Sequence, residues 1–268
     1  MASTAVDCTE PMPKPSSKQR KLVEAQTLAA QSNGLPGRRT LLNLVEMAYD
    51  RIEERIVNCE LRPGRFLTMQ DLQDLIALGR TPVHQAINRL AADTLVIVRP
   101  RHGLQIAPVD LARERVLLRL RKDMERFVIR LATERSGPSE RNQMLHLRRT
   151  LREQRDQMTV PQFNAIDRRV DRLMMAAARE PFVEHSLRPL HTIFRRIGWI
   201  YHTQVERVPN LQRTIDCHVL VLEAVANRHV NKAIAASDEL VDFVDTMFDA
   251  LEQEVDPGLL DCSVGFLN

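Results

Sequence analysis

The chain has 268 residues, of which 44% are apolar and 27% charged, a composition typical of a folded protein with a buried core. It contains only 9 glycines and few aromatic residues (8 Phe, 2 Tyr and 1 Trp), which favours a mostly α fold. Glycine-rich phosphate motifs, G-x-S-x-G and H-E-x-x-H are all missing, which argues against the commonest nucleotide-dependent and hydrolytic enzymes. The 4 cysteines have no C-x-x-C spacing and no stretch suits a membrane helix, so we expect a cytoplasmic protein without membrane contact.

The formal net charge of +3 conceals an uneven distribution. Residues 237–268 contain nine acidic residues and no Lys or Arg, which gives this segment a net charge of −9. The first 236 residues therefore carry a net charge of +12. A basic body is typical of a protein that binds a polyanion such as DNA. The acidic segment is alternatively explained as the solvated face of a last helix.

Residues 1–36 are rich in Ser, Pro, Thr, Gln and Lys and show little periodicity, which predicts a disordered N-terminal arm. Two interpretations of this arm stay open. It is either a plain flexible tail or a segment that contacts DNA phosphates through its basic residues, Lys14, Lys18, Arg20 and Lys21.

Residues 37–109 are predicted to form a small domain of three helices and a hairpin. Apolar spacing predicts a first helix from Thr40, which ends before the turn at Pro63 and Gly64. A second helix starts at Thr68 as a capping residue, and a third starts at Thr81 as the cap of a helix with proline at its first position. The buried stripe of the third helix is then Val83, Ala86, Ile87 and Leu90.

Two β-branched runs, 95–100 and 104–109, surround a glycine-containing turn and predict a hairpin, which completes a winged helix-turn-helix. The hairpin tip, Arg101, His102 and Gly103, suits the minor groove of DNA, because glycine allows close backbone approach. The third helix is the predicted recognition helix for the major groove. Helical geometry exposes four of its polar residues opposite the stripe, namely His84, Gln85, Asn88 and Arg89.

Residues 110–255 are predicted to form an all-helical bundle of six to seven helices, followed by a C-terminal tail over 256–268. The predicted buried stripe of the first bundle helix is Leu117, Leu120, Met124, Phe127, Val128 and Leu131. The later helices are predicted over 139–157, 160–180, 182–206, 209–228 and 230–254.

Residues 40–108 resemble the DNA-binding domain of GntR-type bacterial transcription regulators, most plainly in I..CELRPGRFL, GRTPVHQAINRL and RPRHGLQI. Residues 110–254 resemble the FCD-type ligand-sensing domain of the FadR-like branch, through LRKDMERFVIRLA, DRRVDRLMMAAAREP and CHVLVLEAVANRHVNKAIAAS. The resemblance implies DNA contacts by Arg80 and Thr81 and at Gln70, which stands where relatives carry arginine. His84 also replaces an arginine of the family, and Gly79 replaces a Ser or Thr, so we expect an altered operator.

The FCD type commonly holds a divalent metal on an Asp and three His. Asp167 and His218 match that pattern, whereas Asp171 and Leu240 stand where two of the histidines belong. A site of two carboxylates and one imidazole remains geometrically possible, because the two aspartates share a helical face at i, i+4. The alternative is that both carboxylates pair with Arg121 or another inward arginine and bind no metal.

The resemblance also implies an effector site in the bundle. Arg121 and Glu125 match the first sensing helix of the family, where an inward arginine often receives a carboxylate of the effector. We therefore expect Arg121, Asp167, Asp171 and His218 to bind a small carboxylate effector. Three further histidines of one helical stretch could line the same pocket or replace lost ligands, namely His185, His191 and His202.

These observations predict a ligand-responsive transcription regulator, a repressor that binds a palindromic double-stranded DNA operator as a homodimer, with affinity modulated by a small organic acid. One alternative is a regulator whose sensing domain has lost metal and ligand binding and serves for dimerisation or partner contact. A less favoured alternative is a helical metal-dependent enzyme that uses Asp167 and Asp171 as metal-bound acid and base.

Overall fold

The structure, a computed structural model, describes residues 36–205 and 211–263. The predicted arm lies outside these ranges except for Pro36, where the first helix begins, and the predicted break at Pro209 lies outside them too. The described helices are α1 (Pro36–Val57), α2 (Met69–Ile76), α3 (Arg80–Ala92), α4 (Leu111–Arg135), α5 (Pro138–Glu153), α6 (Val160–Ala178), α7 (Pro181–Gln204), α8 (Leu211–Ala226), α9 (Val230–Glu254) and α10 (Pro257–Leu260). The strands are β1 (Phe66–Leu67), β2 (Val96–Arg99) and β3 (Gly103–Ile106).

Helices α1, α2 and α3 and the three strands form the predicted winged helix-turn-helix. Thr68 caps α2 through a reciprocal bond with Asp71, and Ala77 ends the helix in the left-handed region at φ 53°. The predicted start of α3 at Thr81 is wrong by two residues. Its N-cap is Gly79, whose extended backbone lets the helix begin at Arg80 without a side-chain cap.

The predicted hairpin is the antiparallel pair β2 and β3, in which Arg99 lies opposite Gly103. Strand β1 adds to the other edge of β3 and was not predicted, because two residues are too short to show periodicity. Gly103 has φ +84°, and a Cβ there would lie 2.6 Å from the carbonyl oxygen of Leu67. The close packing of β1 on β3 therefore requires glycine at this position.

Six long helices, α4 to α9, form the predicted bundle. The predicted stripe of α4 is partly wrong, since Leu120 is 52% exposed and Phe127 is 50% exposed. The buried face of α4 instead contains Glu114 and Glu125 beside its apolar residues. Both carboxylates are buried because they meet cationic side chains of α7, a pairing that hydrophobic periodicity does not reveal.

The acidic helix α9 packs along α4, and its carboxylates bind the basic side chains of that helix. Arg115 donates to Asp245 at 3.0 Å and to Asp249 at 2.8 Å, and Arg126 donates to Asp238 at 2.8 Å. Lys122 pairs with Asp242 between them. Four of the nine acidic residues of this segment are thus paired with cations of α4 within the bundle.

The described residues from Val45 onward form one compact unit, while residues 36–44, the first turns of α1, belong to another. One apolar core extends from Ile52 on α1 to Phe248 on α9. The predicted C-terminal tail contains the short helix α10, and its residues return to the winged helix: Leu260 accepts a backbone bond from Val109, and Cys262 donates one to Pro63. Among the described helices, none is long and apolar enough to span a membrane.

Candidate functional site

The polar face of α3 is the main candidate surface for DNA. Its buried stripe packs into the three-helix core, which turns the opposite face to solvent. Nδ2 of Asn88 lies 3.4 Å from Nδ1 of His84, so these two side chains, one helical turn apart, are within hydrogen-bonding distance of each other. The exposed residues of this face are Arg80, Thr81, His84, Gln85 and Asn88.

Arg89 does not belong to this exposed face, in contrast to the sequence prediction. It is half-buried, binds the carboxylate of Glu46, and places its guanidinium 4.6 Å from the ring centroid of Tyr49. Both partners lie on α1. Arg89 therefore helps to fix α3 against α1, and it is not free to read a base.

The wing presents two basic side chains beside α3. Arg101 and His102 are exposed at the hairpin tip, where Arg101 has φ 66°, and Gly103 is half-buried against β1. Gln70 is exposed on the first turn of α2 and donates to Asp74 at 2.8 Å. Apart from the basic residues of the arm, which lie outside the described residues, the residues predicted to contact DNA all lie in the winged helix, and Gly103 has a packing role there as well.

The bundle contains a small pocket of about 50 Å³ that is partly open to solvent. Its wall combines apolar side chains of α6, α7 and α9 with the cationic or imidazole groups of several residues. Leu240, which stands where the FCD type carries a histidine, contributes an apolar side chain to this wall. The polar lining includes Arg121, Asp167, His191, Arg195, His202 and His218, whereas the exposed His185 lies elsewhere.

Arg195 is the centre of the polar lining, and it is almost fully buried on α7. Its Nε donates to Asp167 at 2.7 Å, and its Nη2 donates to Asp171. Its Nη1 lies 3.8 Å from a carboxylate oxygen of Glu53 on α1. Burial alone would raise the pKa of Asp167, but Arg195 and His218 hold it below its usual range.

Both ring nitrogens of His218 face acceptors. Nδ1 lies 2.7 Å from the carbonyl oxygen of Thr214, and Nε2 lies 2.8 Å from Oδ1 of Asp167. A carbonyl and an ionised carboxylate only accept hydrogen bonds, so these contacts favour the protonated ring. Burial would lower the pKa of His218, but the contact with Asp167 outweighs it and raises this pKa.

Arg121 and Glu125 lie one turn apart on α4, with Nε of Arg121 3.2 Å from the carboxylate. The guanidinium lies 5.3 Å from the ring centroid of Phe194, which orients it toward the pocket. Nε2 of His191 lies 2.7 Å from the same carboxylate. Burial would raise the pKa of Glu125, but His191 and Arg121 lower it to about 2.

These residues do not fit a divalent metal. Asp167 and Asp171 already bind one guanidinium, both ring nitrogens of His218 contact oxygen atoms of the protein, and Leu240 offers no donor atom. Among the described residues, no group of three His, Cys, Asp or Glu has an arrangement that could hold a metal ion. The observed pairing corresponds to the second interpretation of the sequence, with Arg195 rather than Arg121 as the inward arginine.

Polar side chains also join the bundle to the winged helix. The carboxylate of Glu53 on α1 accepts a hydrogen bond from the hydroxyl of Thr192. The guanidinium of Arg168 lies 3.4 Å from the same carboxylate. Arg196 of α7 donates to the carbonyl of Ala107 at 2.8 Å and to Glu114 at 3.3 Å. None of these contacts was predicted from the sequence. The sequence does contain one indication of these contacts. Two adjacent arginines lie within the mostly apolar segment 190–201 of α7, and buried charges of this kind need partners of opposite charge.

Two family models match the chain: that of bacterial regulatory proteins of the gntR family over residues 44–106, and that of the FCD domain over residues 116–243. A curated relative is an uncharacterized HTH-type transcriptional regulator in an unstable DNA locus of Streptomyces ambofaciens, 33% identical over 84 residues. That match covers 31% of this chain and only 33% of the relative's own length.

Two solved structures share the fold. E. coli McbR/YncC superposes with a TM-score of 0.67 at 17% identity, covering 78% of this chain and 99% of that one. A putative transcriptional regulator GntR from Rhodococcus sp. RHA1 gives a TM-score of 0.57 at 14% identity, covering 76% and 96% of the two chains. Both similarities extend across the winged helix and the helical bundle.

Proposed function

We propose that this chain, which belongs to the gntR family of bacterial regulatory proteins and carries an FCD domain, is a cytoplasmic repressor controlled by a small organic acid. Membership of this family makes it a DNA-binding transcription regulator and not an enzyme. The single observation that supports DNA reading is the exposed polar face of α3 opposite its buried stripe. Gln85 and Asn88 carry the amide groups that pair with adenine in the major groove, and Arg80 suits guanine or phosphate.

The operator is proposed to be a palindrome bound by a homodimer, because one recognition helix makes too few base contacts for specific binding. The exposed apolar side chains of α4 support a second copy as partner. Val116, Leu120 and Phe127 are 63%, 52% and 50% exposed, and their spacing places them on one face of the helix. Substituting Leu120→Asp should yield a monomer in sedimentation analysis, while an unchanged dimer would exclude this face.

DNA binding is tested by selecting the operator from a random pool of duplexes with the full chain, then measuring affinity against salt. Arg80→Ala should weaken binding about tenfold and lower the salt slope by about one, since one phosphate or base contact is lost. Arg119→Ala removes an exposed arginine of α4 and is the matched control. Equal affinity and slope for Arg80→Ala and the wild type would overturn the assignment of Arg80.

The effector is proposed to be a small carboxylate that binds Arg121. In the described residues its only hydrogen bond runs from Nε to Glu125, which leaves the two terminal nitrogens for a bidentate contact in the pocket. Asp167, Asp171 and His218 shape the pocket through their contacts with Arg195 and with each other. A panel of carboxylic acids should contain one that raises the melting temperature of the wild type but not of Arg121→Gln.

A second proposal is favoured by the internal pairing of the pocket. Because Asp167, Asp171 and Glu125 already have cationic partners, the bundle could serve only for dimerisation or partner contact. If no acid in the panel shifts the melting temperature and operator affinity stays constant, this second proposal replaces the ligand-responsive one. If one acid shifts both, the second proposal is excluded.

A further inference from the structure

We propose that Arg188 of α7 is a positioning residue for α3: it holds this helix in its DNA-reading orientation through the ring of Tyr49 and the carboxylate of Asp93, without contacting DNA itself. The inference rests on the proposed DNA-reading role of α3. Operator affinity then depends on a side chain of the bundle that lies outside the winged helix.

Tyr49 of α1 is the centre of this contact, and it is almost fully buried. The guanidinium carbon of Arg89, from α3, lies over the ring at 4.6 Å from its centroid. The guanidinium carbon of Arg188, from α7, lies over the same ring, also at 4.6 Å. Cations over an aromatic ring are attracted by its quadrupole, and more strongly when they are partly removed from water. One ring thus joins a helix of the winged helix to a helix of the bundle.

Asp93 joins the same two helices a second time. It is buried and is the C-cap residue of α3. Its Oδ2 accepts a hydrogen bond from the Tyr49 hydroxyl at 2.7 Å and lies 3.7 Å from Nη2 of Arg188. Burial raises the pKa of Tyr49, so the hydroxyl keeps its proton and remains a donor. The end of α3 is therefore held by a ring and by a carboxylate, and Arg188 contacts both.

These contacts hold α3 at one end only. Arg89 lies in the last turn of the helix, whereas Arg80, proposed to contact DNA, is its first residue. About 14 Å of helix separates the two, so a tilt of about 5° at the fixed end would displace Arg80 by about 1 Å. Hydrogen bonds to base edges tolerate only a few tenths of an ångström, so a shift of this size would break them. The orientation of α3 is therefore sensitive to the contact at its far end.

Helix α7 also carries part of the wall of the bundle pocket. Arg195 lines that pocket, and its Nη1 lies 3.8 Å from Glu53 of α1. Thr192, between Arg188 and Arg195 on the same helix, donates to the same carboxylate. Glu53 lies one helical turn from Tyr49. A displacement of α7 at the pocket would therefore also move the side chain that holds α3.

The test measures the affinity of the full chain for the operator obtained from the random pool and for a duplex of scrambled sequence, each against salt. Arg188→Gln should weaken operator binding about tenfold and leave the salt slope and the binding of the scrambled duplex unchanged, because base contacts are misplaced while phosphate contacts remain. Arg188→Lys keeps a cation beside the ring and should recover part of the loss. If Arg188→Gln instead weakens both duplexes equally and lowers the slope by about one, Arg188 contacts phosphate directly and the proposal is overturned.

Arg172→Gln is the matched control. Arg172 of α6 donates to Asp50, the neighbour of Tyr49, at 2.7 Å, so it also joins the bundle to α1. Its ion pair within the described residues is with α1 and not with α3, and its loss should leave operator affinity unchanged. An equal loss for Arg172→Gln and Arg188→Gln would overturn the proposal, because any contact between the bundle and α1 would then have the same effect.

The same measurements separate this inference from the proposed function. If the wild type selects no operator, both are overturned. If the wild type binds its operator and Arg80→Ala weakens that binding, but folded Arg188→Gln binds as tightly as the wild type, DNA reading by α3 stands and only the role of Arg188 is overturned.

Discussion

Glu114 offers a sharp test of the polar contacts between the two parts of the protein. Its side chain is almost fully buried, Oε1 accepts from Arg196 at 3.3 Å, and Oε2 has no partner within the described residues. Burial raises the pKa of this carboxyl from 4.5 to about 7, against the opposing effect of Arg196. Substituting Glu114→Gln keeps the acceptor for Arg196 and removes the titration.

The magnitude follows from the two protonation equilibria. Since the pKa is higher in the folded state, the stabilisation is full below the unfolded value of 4.5 and is lost as the pH rises through about 7. Each pH unit between these values corresponds to about 1.4 kcal/mol. Between about pH 5.5 and about pH 8 the wild type should therefore lose roughly 2 kcal/mol of unfolding free energy that Glu114→Gln does not lose.

The assay is urea denaturation of both proteins at the two pH values, with Glu153→Gln as the control for an exposed carboxyl. Other titrating groups are common to the three proteins and cancel in the comparison. Parallel pH dependences of the wild type and Glu114→Gln would refute the reasoning, because they would mean that Glu114 titrates alike in the folded and unfolded states.

Three further outcomes are expected from the winged helix and the bundle. Gly103→Ala should cost about 1–3 kcal/mol of unfolding free energy, because the added Cβ would clash with the carbonyl of Leu67. Gly79→Ala is the control: its Cβ would have no atom within 4 Å, and the change in unfolding free energy should be well under half as large. Thr68→Ala should cost about 1 kcal/mol in urea denaturation through loss of the α2 cap; an unchanged midpoint would contradict the capping role. Arg115→Ala should lower the melting temperature slightly at low salt and not at high salt, since its ion pairs with α9 are exposed; a loss that persists in high salt would argue for a packing role.

The elements that could be predicted from sequence have local causes. Thr68 and Asp71 identify the start of α2, and apolar spacing identifies the buried stripe of α3. Strand β1 could not be predicted because it exists only as the partner of β3. Leu67 of β1 pairs with Leu104 of β3, which lies 37 residues later in the chain. Local pattern is sufficient where neighbouring residues form the structure, and it fails where a distant segment does.

The candidate site shows the same limit. The exposed residues of α3 follow from helical geometry, although Arg89 is held by α1 and is an exception. In the bundle, the resemblance located Asp167 and His218, which contact each other, but it did not identify Arg195 of another helix, which also binds Asp167. Which arginine turns inward depends on packing between α6 and α7, and single-sequence reasoning has no access to that choice.

The return of the chain end to the winged helix has a consequence for how the protein unfolds. The backbone bonds at Val109 and Pro63, together with the buried Arg196, connect the DNA-reading part to the bundle at points far apart in sequence. Disruption of one part therefore removes partners from buried groups of the other. Calorimetry should show a single cooperative transition in which the calorimetric and van't Hoff enthalpies agree, so that the sensing and DNA-reading parts melt together as one thermodynamic unit.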